Sequence, residues 1–325
     1  MLYREALNRA IDEAMRDDQS VVILGEDVGR YGGSYRVSES LYAKYGSKRV
    51  IDTPIAELSI VGNAIGMAIG GLRPVAEIMT VNFSLLAMDQ IINHAAKLRY
   101  MSGGKLAVPL TVRMPGGVSR QLAAQHSESY ETLYASIPGL IVFAASNPNY
   151  AYHALKKAIF LNDPVIFLEH ELLYNEKGDV DFENEIDPFK ASIIKEGKDI
   201  TIISYLKMVK ESAEAIRVIE ESLDVDCELI DLNSLRPVDM PTVSKSVKKT
   251  KRVVLIEEDH KTGGYAAELS ARIAEELFYE LDAPILRIGG EDVPVPYNRK
   301  LELASIPTSE KIAKKIISWG KENGL

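Results

Sequence analysis

The chain has 325 residues, of which 46% are hydrophobic and 26% are charged, a mix typical of a globular protein long enough for two domains. Its formal net charge is −9 and it has no long run of lysine or arginine, which argues against nucleic acid as a main partner. The single cysteine, Cys227, excludes an internal disulfide framework and disfavours a cysteine-based metal site.

The first 15 residues form an amphipathic helical pattern rather than a leader, with Leu2, Ala6, Ala10 and Ala14 on one face. The longest apolar runs of the chain are too short to cross a bilayer. We therefore expect no membrane partner and a cytoplasmic protein, with an organellar location as the open alternative.

Short apolar runs alternate with segments of helical period, which predicts α/β architecture with largely parallel sheets. In the first half the predicted strands are 21–24, 49–51, 74–78, 110–113, 140–144 and 165–168. The predicted helices there are 2–16, 57–70, 84–99, 128–135 and 149–161.

An acidic, non-periodic stretch between about 175 and 190 predicts a linker, and hence two domains, 1–185 and 186–325. After it the alternation resumes. The predicted strands are 200–205, 227–232, 252–257 and 284–288, and the predicted helices are 209–222, 239–246, 264–279 and 309–322.

The most informative segment is 52–71, which places one carboxylate, Glu57, after a Thr-Pro turn at the start of an otherwise apolar helix. Gly62, Gly66 and Gly70 follow at a spacing of four, so one stripe of this helix lacks side chains and another backbone can approach it closely. A first-turn carboxylate is favourable through the helix dipole alone, so a capping role for Glu57 is one interpretation. A carboxylate in a dry, packed region is costly unless a specific group receives it, so a ligand is the other.

Glu57 followed by Gly62 and Gly66 resembles the pyrimidine-side motif of thiamine-diphosphate enzymes, although that pattern prefers an apolar residue where this chain has Asn63. The chain resembles one branch closely, the β subunit of the decarboxylating component of 2-oxo acid dehydrogenase complexes. The blocks that carry the resemblance are residues 24–29, 77–83, 89–93, 95–97, 100–104, 123–127, 167–174, 234–239 and 291–297. It implies a pyrimidine-type parallel-sheet domain followed by a smaller transketolase C-terminal-like α/β domain.

The resemblance also implies roles for single residues. Glu57 would hydrogen bond to the aminopyrimidine of thiamine diphosphate and favour its imino tautomer. Ile55 and Met79 would line the pocket, and the ring of Phe83 would pack on the aminopyrimidine, whereas a core aromatic is its structural alternative. His126 would help to position or protonate intermediates and would receive the lipoyl group, whereas a surface or capping role is its alternative.

The same resemblance implies that the complete enzyme binds two kinds of metal ion, potassium and magnesium. A potassium ion would be held mostly by main-chain carbonyls, at Leu110, Ala158, Ile159, Leu161 and Asp163. Magnesium binding to the diphosphate uses a Gly-Asp-Gly segment, which does not occur in this chain. We therefore expect a separate α subunit to supply magnesium and diphosphate binding, in an α2β2 heterotetramer with sites at the α–β interfaces.

The run from Met79 to Ser84 looks more like that of the pyruvate-specific members. This predicts oxidative decarboxylation of pyruvate and acylation of a lipoyl domain of the dihydrolipoyl acyltransferase, whose subunit-binding domain would contact the second domain. Branched-chain 2-oxo acid and acetoin dehydrogenases share most of these motifs and stay open as alternatives. A non-catalytic scaffold is disfavoured because Glu57, Gly62 and Gly66 are all present, and a complete single-chain transketolase-like enzyme is disfavoured by the length and the missing magnesium motif.

Overall fold

The computed structural model describes residues 1–325. The chain divides into two compact units. The first consists of Met1–Gly116 and Leu133–Pro188, and the second of Gly117–Thr132 and Phe189–Leu325. Both units are built from alternating strands and helices, so the predicted α/β class is confirmed.

The first unit contains a parallel sheet whose neighbouring strands follow the order β5-β6-β4-β3-β1-β2. These strands are β1 (Val21–Gly25), β2 (Val50–Asp52), β3 (Arg73–Glu77), β4 (Thr111–Gly116), β5 (Ile141–Ala144) and β6 (Val165–His170). Strands β1 and β6 are buried at every position, as expected for a parallel sheet covered on both faces. In the register, Gly25 at the end of β1 lies beside both Asp52 and Glu77, so the carboxyl ends of β1, β2 and β3 meet at one edge.

The helices in the first half of the chain are α1 (Tyr3–Asp17), α2 (Leu41–Tyr45), α3 (Glu57–Ile69), α4 (Ala96–Met101), α5 (Glu131–Ala135) and α6 (Pro148–Phe160). Helix α6 begins where its sequence predicts, because the side chain of Asn147 accepts a hydrogen bond from the Tyr150 amide at 2.9 Å and Pro148 occupies the first turn. Helices α1 and α6 pack against each other.

The helix predicted over 84–99 is helical along its length, but it is not one regular α-helix. The chain instead forms a 3₁₀ segment, Val81–Ala87, then a π-helical segment, Gln90–Ala95, and only then α4. One local cause is Ser84, whose hydroxyl donates to the Val81 carbonyl and supports a turn tighter than an α-helix. Gly139 approaches the end of the π segment so closely that a Cβ there would lie 2.0 Å from the Ala96 carbonyl oxygen.

The second unit has a sheet of order β12-β11-β8-β9-β7, in which β7 is antiparallel and the other pairs are parallel. The strands of the second unit are β7 (Ser192–Lys195), β8 (Ile200–Ser204), β9 (Cys227–Asp231), β10 (Ser234–Arg236), β11 (Val253–His260) and β12 (Leu286–Gly290), of which β10 does not belong to this sheet. Its helices are α7 (Lys207–Leu223), α8 (Met240–Thr250), α9 (Tyr265–Leu277), α10 (Arg299–Ser305) and α11 (Ser309–Glu322).

Helices α7 and α11 pack together and close a core with strands β8, β9 and β11. Ile202, Leu229, Val254 and Ile316 are fully buried in it, and Trp319, the one tryptophan of the chain, is 8% exposed there. None of the helices has both the length and the apolar character that crossing a membrane requires.

Candidate functional site

Glu57 is the first residue of α3 and lies just beyond the carboxyl end of β2. Glu57 is buried, with 3% of its surface exposed. The N-cap residue of α3, Ala56, makes no side-chain hydrogen bond to the helix. A second carboxylate, Glu26, is buried nearby after β1. Burial raises the pKa of Glu26, and the charge of Glu57 raises it further. Two buried carboxylates therefore lie just beyond the carboxyl ends of the neighbouring parallel strands β1 and β2. This edge is where α/β sheets bind ligands.

The loop that carries Glu26 is tied to the strand that leads to Glu57. The Gly29 amide donates to Asp52 Oδ1 at 2.6 Å, and the Thr53 amide donates to the Gly25 carbonyl at 3.0 Å. A Cβ at Gly29 would lie 2.3 Å from Asp52 Oδ2, so only glycine allows this approach. The two carboxylates therefore stand on segments joined by direct hydrogen bonds.

A buried arginine lies on strand β4 of the same sheet, next to β3. Arg113 on β4 is 1% exposed and lies between Glu77 on β3 and Glu169 on β6. Its Nε donates to Glu169 Oε1 at 2.8 Å, and the Tyr174 hydroxyl donates to Glu169 Oε2 at 2.7 Å. Burial raises the pKa of Glu77, whereas Arg113 opposes that rise. Burial disfavours the charged guanidinium, but Glu169 and Glu77 hold the pKa of Arg113 well above its ordinary value.

This arginine network was not predicted from the sequence. The available signal was charged residues within strands that are mostly apolar. Glu77 is the last residue of β3, Arg113 is the third residue of β4, and Glu169 is the last but one of β6. Strand neighbours cannot be read from that pattern alone, because the sheet order is not the chain order.

The other predicted pocket residues of the first unit differ in exposure. Met79 and Phe83 are half-buried, and α3 packs against the 3₁₀ segment that contains Phe83. Ile55 is 81% exposed, and Leu58 and Leu86 are also exposed. Leu58 lies on α3 and Leu86 on the 3₁₀ segment that packs against it, and exposed apolar side chains on adjoining elements are typical of a face that another molecule covers.

The glycine stripe of α3 is not required by packing within the chain. A Cβ at Gly62 would meet only Gln90 Cγ, at 3.7 Å, and a Cβ at Gly66 would meet nothing within 4 Å. The stripe is therefore a bare face of the helix in the single chain, which is consistent with its predicted use between subunits.

The carbonyl groups predicted to hold potassium lie in or beside β4, β6 and the end of α6. The carbonyls of Ile159 and Leu161 accept hydrogen bonds from Arg73 Nη1, at 3.2 and 3.0 Å. The Asp163 carboxylate forms an ion pair with Arg99 at 2.5 Å. A carbonyl oxygen has a second lone pair and can bind an ion besides a donor, so the residues are compatible with potassium, although the guanidinium brings a positive charge close to it. The potassium site stays a prediction.

His126 belongs to the second unit, where it ends a short 3₁₀ turn, Ala124–His126, and is exposed. The segment around it runs from Gly117, whose amide donates to the Glu128 carbonyl at 2.9 Å and so closes a loop. The predicted role of this histidine in lipoyl transfer stays a prediction.

Buried carboxylates also gather in the second unit, at the end of β11. Glu257 is 1% exposed, and burial, with a smaller contribution from Asp259, raises its pKa to about 7. Burial raises the pKa of Glu131 well above its usual range, and Asp259 adds to the effect. Burial therefore favours the protonated forms of these two carboxyl groups.

The chain matches two family models in succession. The model described as "Transketolase, pyrimidine binding domain" matches residues 1–177, and the one described as "Transketolase, C-terminal domain" matches residues 189–312. A solved structure titled "Split gene transketolase, inactive beta4 tetramer" has the same fold, with a TM-score of 0.80 and 22% identity over 99% of each chain. Fold and matches together define a two-domain transketolase-like protein.

Curated relatives that match nearly the whole chain identify the family within this class more closely. The chain is 48% identical to "Pyruvate dehydrogenase E1 component subunit beta" of Porphyra purpurea, covering 98% of this chain and 97% of that protein. It is 46% identical to the protein of the same name from Gracilaria tenuistipitata var. liui, with 98% of each covered. It is also 46% identical to "Pyruvate dehydrogenase E1 component subunit beta-1, mitochondrial" of Arabidopsis thaliana, covering 97% of this chain and 88% of that protein. The chain belongs to the family of pyruvate dehydrogenase E1 component β subunits.

Proposed function

We propose that this chain is the β subunit of a thiamine-diphosphate-dependent pyruvate dehydrogenase (acetyl-transferring), an oxidoreductase. Together with an α subunit it decarboxylates pyruvate and acetylates the lipoyl groups of a dihydrolipoyl acyltransferase. The observation that carries the proposal is the buried Glu57 at the carboxyl edge of a parallel sheet, in a chain that is similar along its whole length to β subunits of that name.

The residues of the first unit suit the pyrimidine half of thiamine diphosphate. The cofactor, when bound, supplies the nucleophilic carbon that attacks the 2-oxo acid. Glu57 would hydrogen bond through its carboxyl oxygen to a ring nitrogen of the aminopyrimidine and so set the tautomer. Met79, which is half-buried, and Ile55, which is exposed, would line the pocket, and the half-buried ring of Phe83 would pack on the aminopyrimidine. Burial and the neighbouring Glu57 both raise the pKa of Glu26.

An α subunit, a potassium ion and the acyltransferase complete the proposed assembly. Magnesium and the diphosphate are bound by the α subunit in an α2β2 heterotetramer, whose surface covers the exposed apolar residues near Glu57. Potassium binds to the main-chain carbonyls of Ile159, Leu161 and their predicted neighbours. His126 receives the lipoyl group from the lipoyl domain, and the subunit-binding domain of the acyltransferase docks on the second domain. The domain boundary lies near residue 185, and the protein is cytoplasmic.

The decisive experiment replaces Glu57 by Gln in the enzyme reconstituted with an α subunit. The amide keeps the shape of the side chain but cannot share the proton, so turnover should fall by roughly 10²- to 10⁴-fold while the α–β assembly persists. Glu221→Gln removes an exposed carboxylate from α7 and is the matched control, which should retain wild-type turnover. Unchanged turnover in Glu57→Gln would refute the assigned role, and a higher kcat/KM for branched-chain 2-oxo acids than for pyruvate would refute the substrate.

A further inference from the structure

The loop that carries His126 has an unfavourable backbone. Arg120, Gln121 and Ala123 have positive φ angles of 49°, 61° and 64°, in the left-handed region that glycine prefers. Three such residues within four positions persist only where surrounding contacts over-determine the conformation. The conformation of this loop therefore depends on groups that bind it from outside.

Two carboxylates of the second unit bind the backbone of this loop directly. The Val118 amide donates to Glu258 Oε1 at 2.5 Å, and the Gln121 amide donates to Glu302 Oε1 at 2.7 Å. The Gln121 side chain adds a longer hydrogen bond, from Nε2 to the Tyr297 carbonyl at 3.3 Å. Hydrogen bonds from an amide to an ionised carboxylate are about twice as strong as those between neutral groups.

Both carboxylates are rigidly placed. Glu302 is fully buried on α10, and its other oxygen binds Arg299 Nη1 at 2.5 Å. The side chain of Glu258 on β11 is 7% exposed, and Lys207 Nζ lies 3.6 Å from its Oε2. Each anchor therefore stands on a regular element beside its own cation, which fixes the position of the carboxylate.

We propose that Glu258 and Glu302 are positioning residues that hold the 117–128 loop in its strained conformation and so present His126 to the lipoyl group. The catalytic part of this proposal rests on the function proposed above for His126. The hydrogen bonds to the loop are observed independently of that function. A side chain displaced by about 1 Å from its productive position can lose about 10²-fold in rate, so anchoring the backbone at Val118 and Gln121 has a catalytic consequence.

The test compares two substitutions at Glu302. Glu302→Ala removes the acceptor for the Gln121 amide, whereas Glu302→Gln keeps an oxygen acceptor and the packing but loses the charge. Glu276→Ala is the matched control, because Glu276 is also paired with an arginine on its own helix, Arg272 on α9, yet is exposed and binds no loop amide. If Glu302→Ala does not fold, Glu302→Gln still tests whether the charge of this anchor holds the loop.

The first readout does not depend on activity. Arg120 is exposed within the loop, so trypsin cleavage after it reports how often the loop opens. In the full-length chain we expect cleavage at this bond to be about fivefold faster or more in Glu302→Ala, slightly faster in Glu302→Gln, and unchanged in Glu276→Ala. Wild-type cleavage rates in both Glu302 variants would overturn the proposed anchoring, whatever the enzymatic function of the chain.

The second readout uses the enzyme reconstituted with an α subunit and a lipoyl domain. Glu302→Ala should lower kcat/KM for lipoyl acetylation by about tenfold or more, and should lower decarboxylation with an artificial acceptor less. In a His126→Ala background the same substitution should have no further effect on acetylation, because it acts through that histidine. An equal fold-loss in both backgrounds, or faster cleavage without any loss of acetylation, would overturn the positioning role. Wild-type acetylation in His126→Ala alone would instead refute the function proposed for His126.

Discussion

Replacing Glu257 by Gln should make the second unit more stable at neutral and alkaline pH. Glu257 Oε2 accepts hydrogen bonds from the Ala266 amide at 2.9 Å and from the Tyr205 hydroxyl at 3.1 Å. A glutamine side chain has the same shape, and its amide oxygen can accept both. The substitution therefore removes the ionisation of the buried group and leaves its hydrogen bonds in place.

The magnitude follows from the pKa of Glu257, which burial raises from 4.5 to about 7. Between these two pH values the folded chain keeps a proton that the unfolded chain has lost, so the free energy of unfolding falls as the pH rises. At about 1.4 kcal/mol per pH unit, the loss amounts to about 3 kcal/mol. The stabilisation is complete below pH 4.5 and lost above pH 7. Glu257→Gln, which cannot ionise, should match the wild type near pH 4.5 and exceed it by about 3 kcal/mol at pH 8.

The assay is urea unfolding of the isolated chain at pH 5, 6, 7 and 8, followed by tryptophan fluorescence. Trp319 is the one tryptophan and lies in the core of the second unit, so the signal reports on the unit that contains Glu257. Glu275→Gln, which removes an exposed carboxylate from α9, should follow the wild type at every pH. A stability difference between Glu257→Gln and wild type that stays constant from pH 5 to 8 would refute the reasoning.

Two further predictions concern buried groups. Arg113→Met should lower the free energy of unfolding by about 3–5 kcal/mol, because Glu77 and Glu169 would be left buried without their cation. Urea titration against the exposed-site control Arg217→Met measures the loss, and a change below about 1 kcal/mol would contradict it. The thiol of Cys227 should react with iodoacetamide at pH 8 about 100-fold more slowly in the folded chain than in urea, because burial raises its pKa to about 12. Equal rates in the two states would show that the thiol is accessible.

The local elements of this fold were largely predictable. Helix α11 has the bounds that its periodicity predicts, Ser309–Glu322, and the buried strands fall within a few residues of their apolar runs. Several features were not, including the short elements α2, β10 and α10. Strand β7 is an exposed edge strand with no alternating pattern, and its antiparallel pairing with β9 depends on partners 34 to 39 residues away (Lys195 with Leu229, Ser192 with Asp231). The 117–132 segment precedes the predicted boundary by more than 50 residues but groups with the second unit, which no local pattern indicates.

The sequence by itself determined the alternation of strands and helices, the position of Glu57 at the start of a glycine-striped helix, and the family to which the chain belongs. These features depend on the order and spacing of neighbouring residues, which side-chain periodicity and motif spacing express directly. Only the tertiary structure decided that Glu26 lies beside Glu57, that Arg113 is enclosed by two carboxylates, and that Glu302 binds the amide of Gln121 from 181 residues away. Electrostatic and hydrogen-bonding partners of this kind are set by sheet order and packing, because a carboxylate stabilises whichever donor the fold brings within about 3 Å of it.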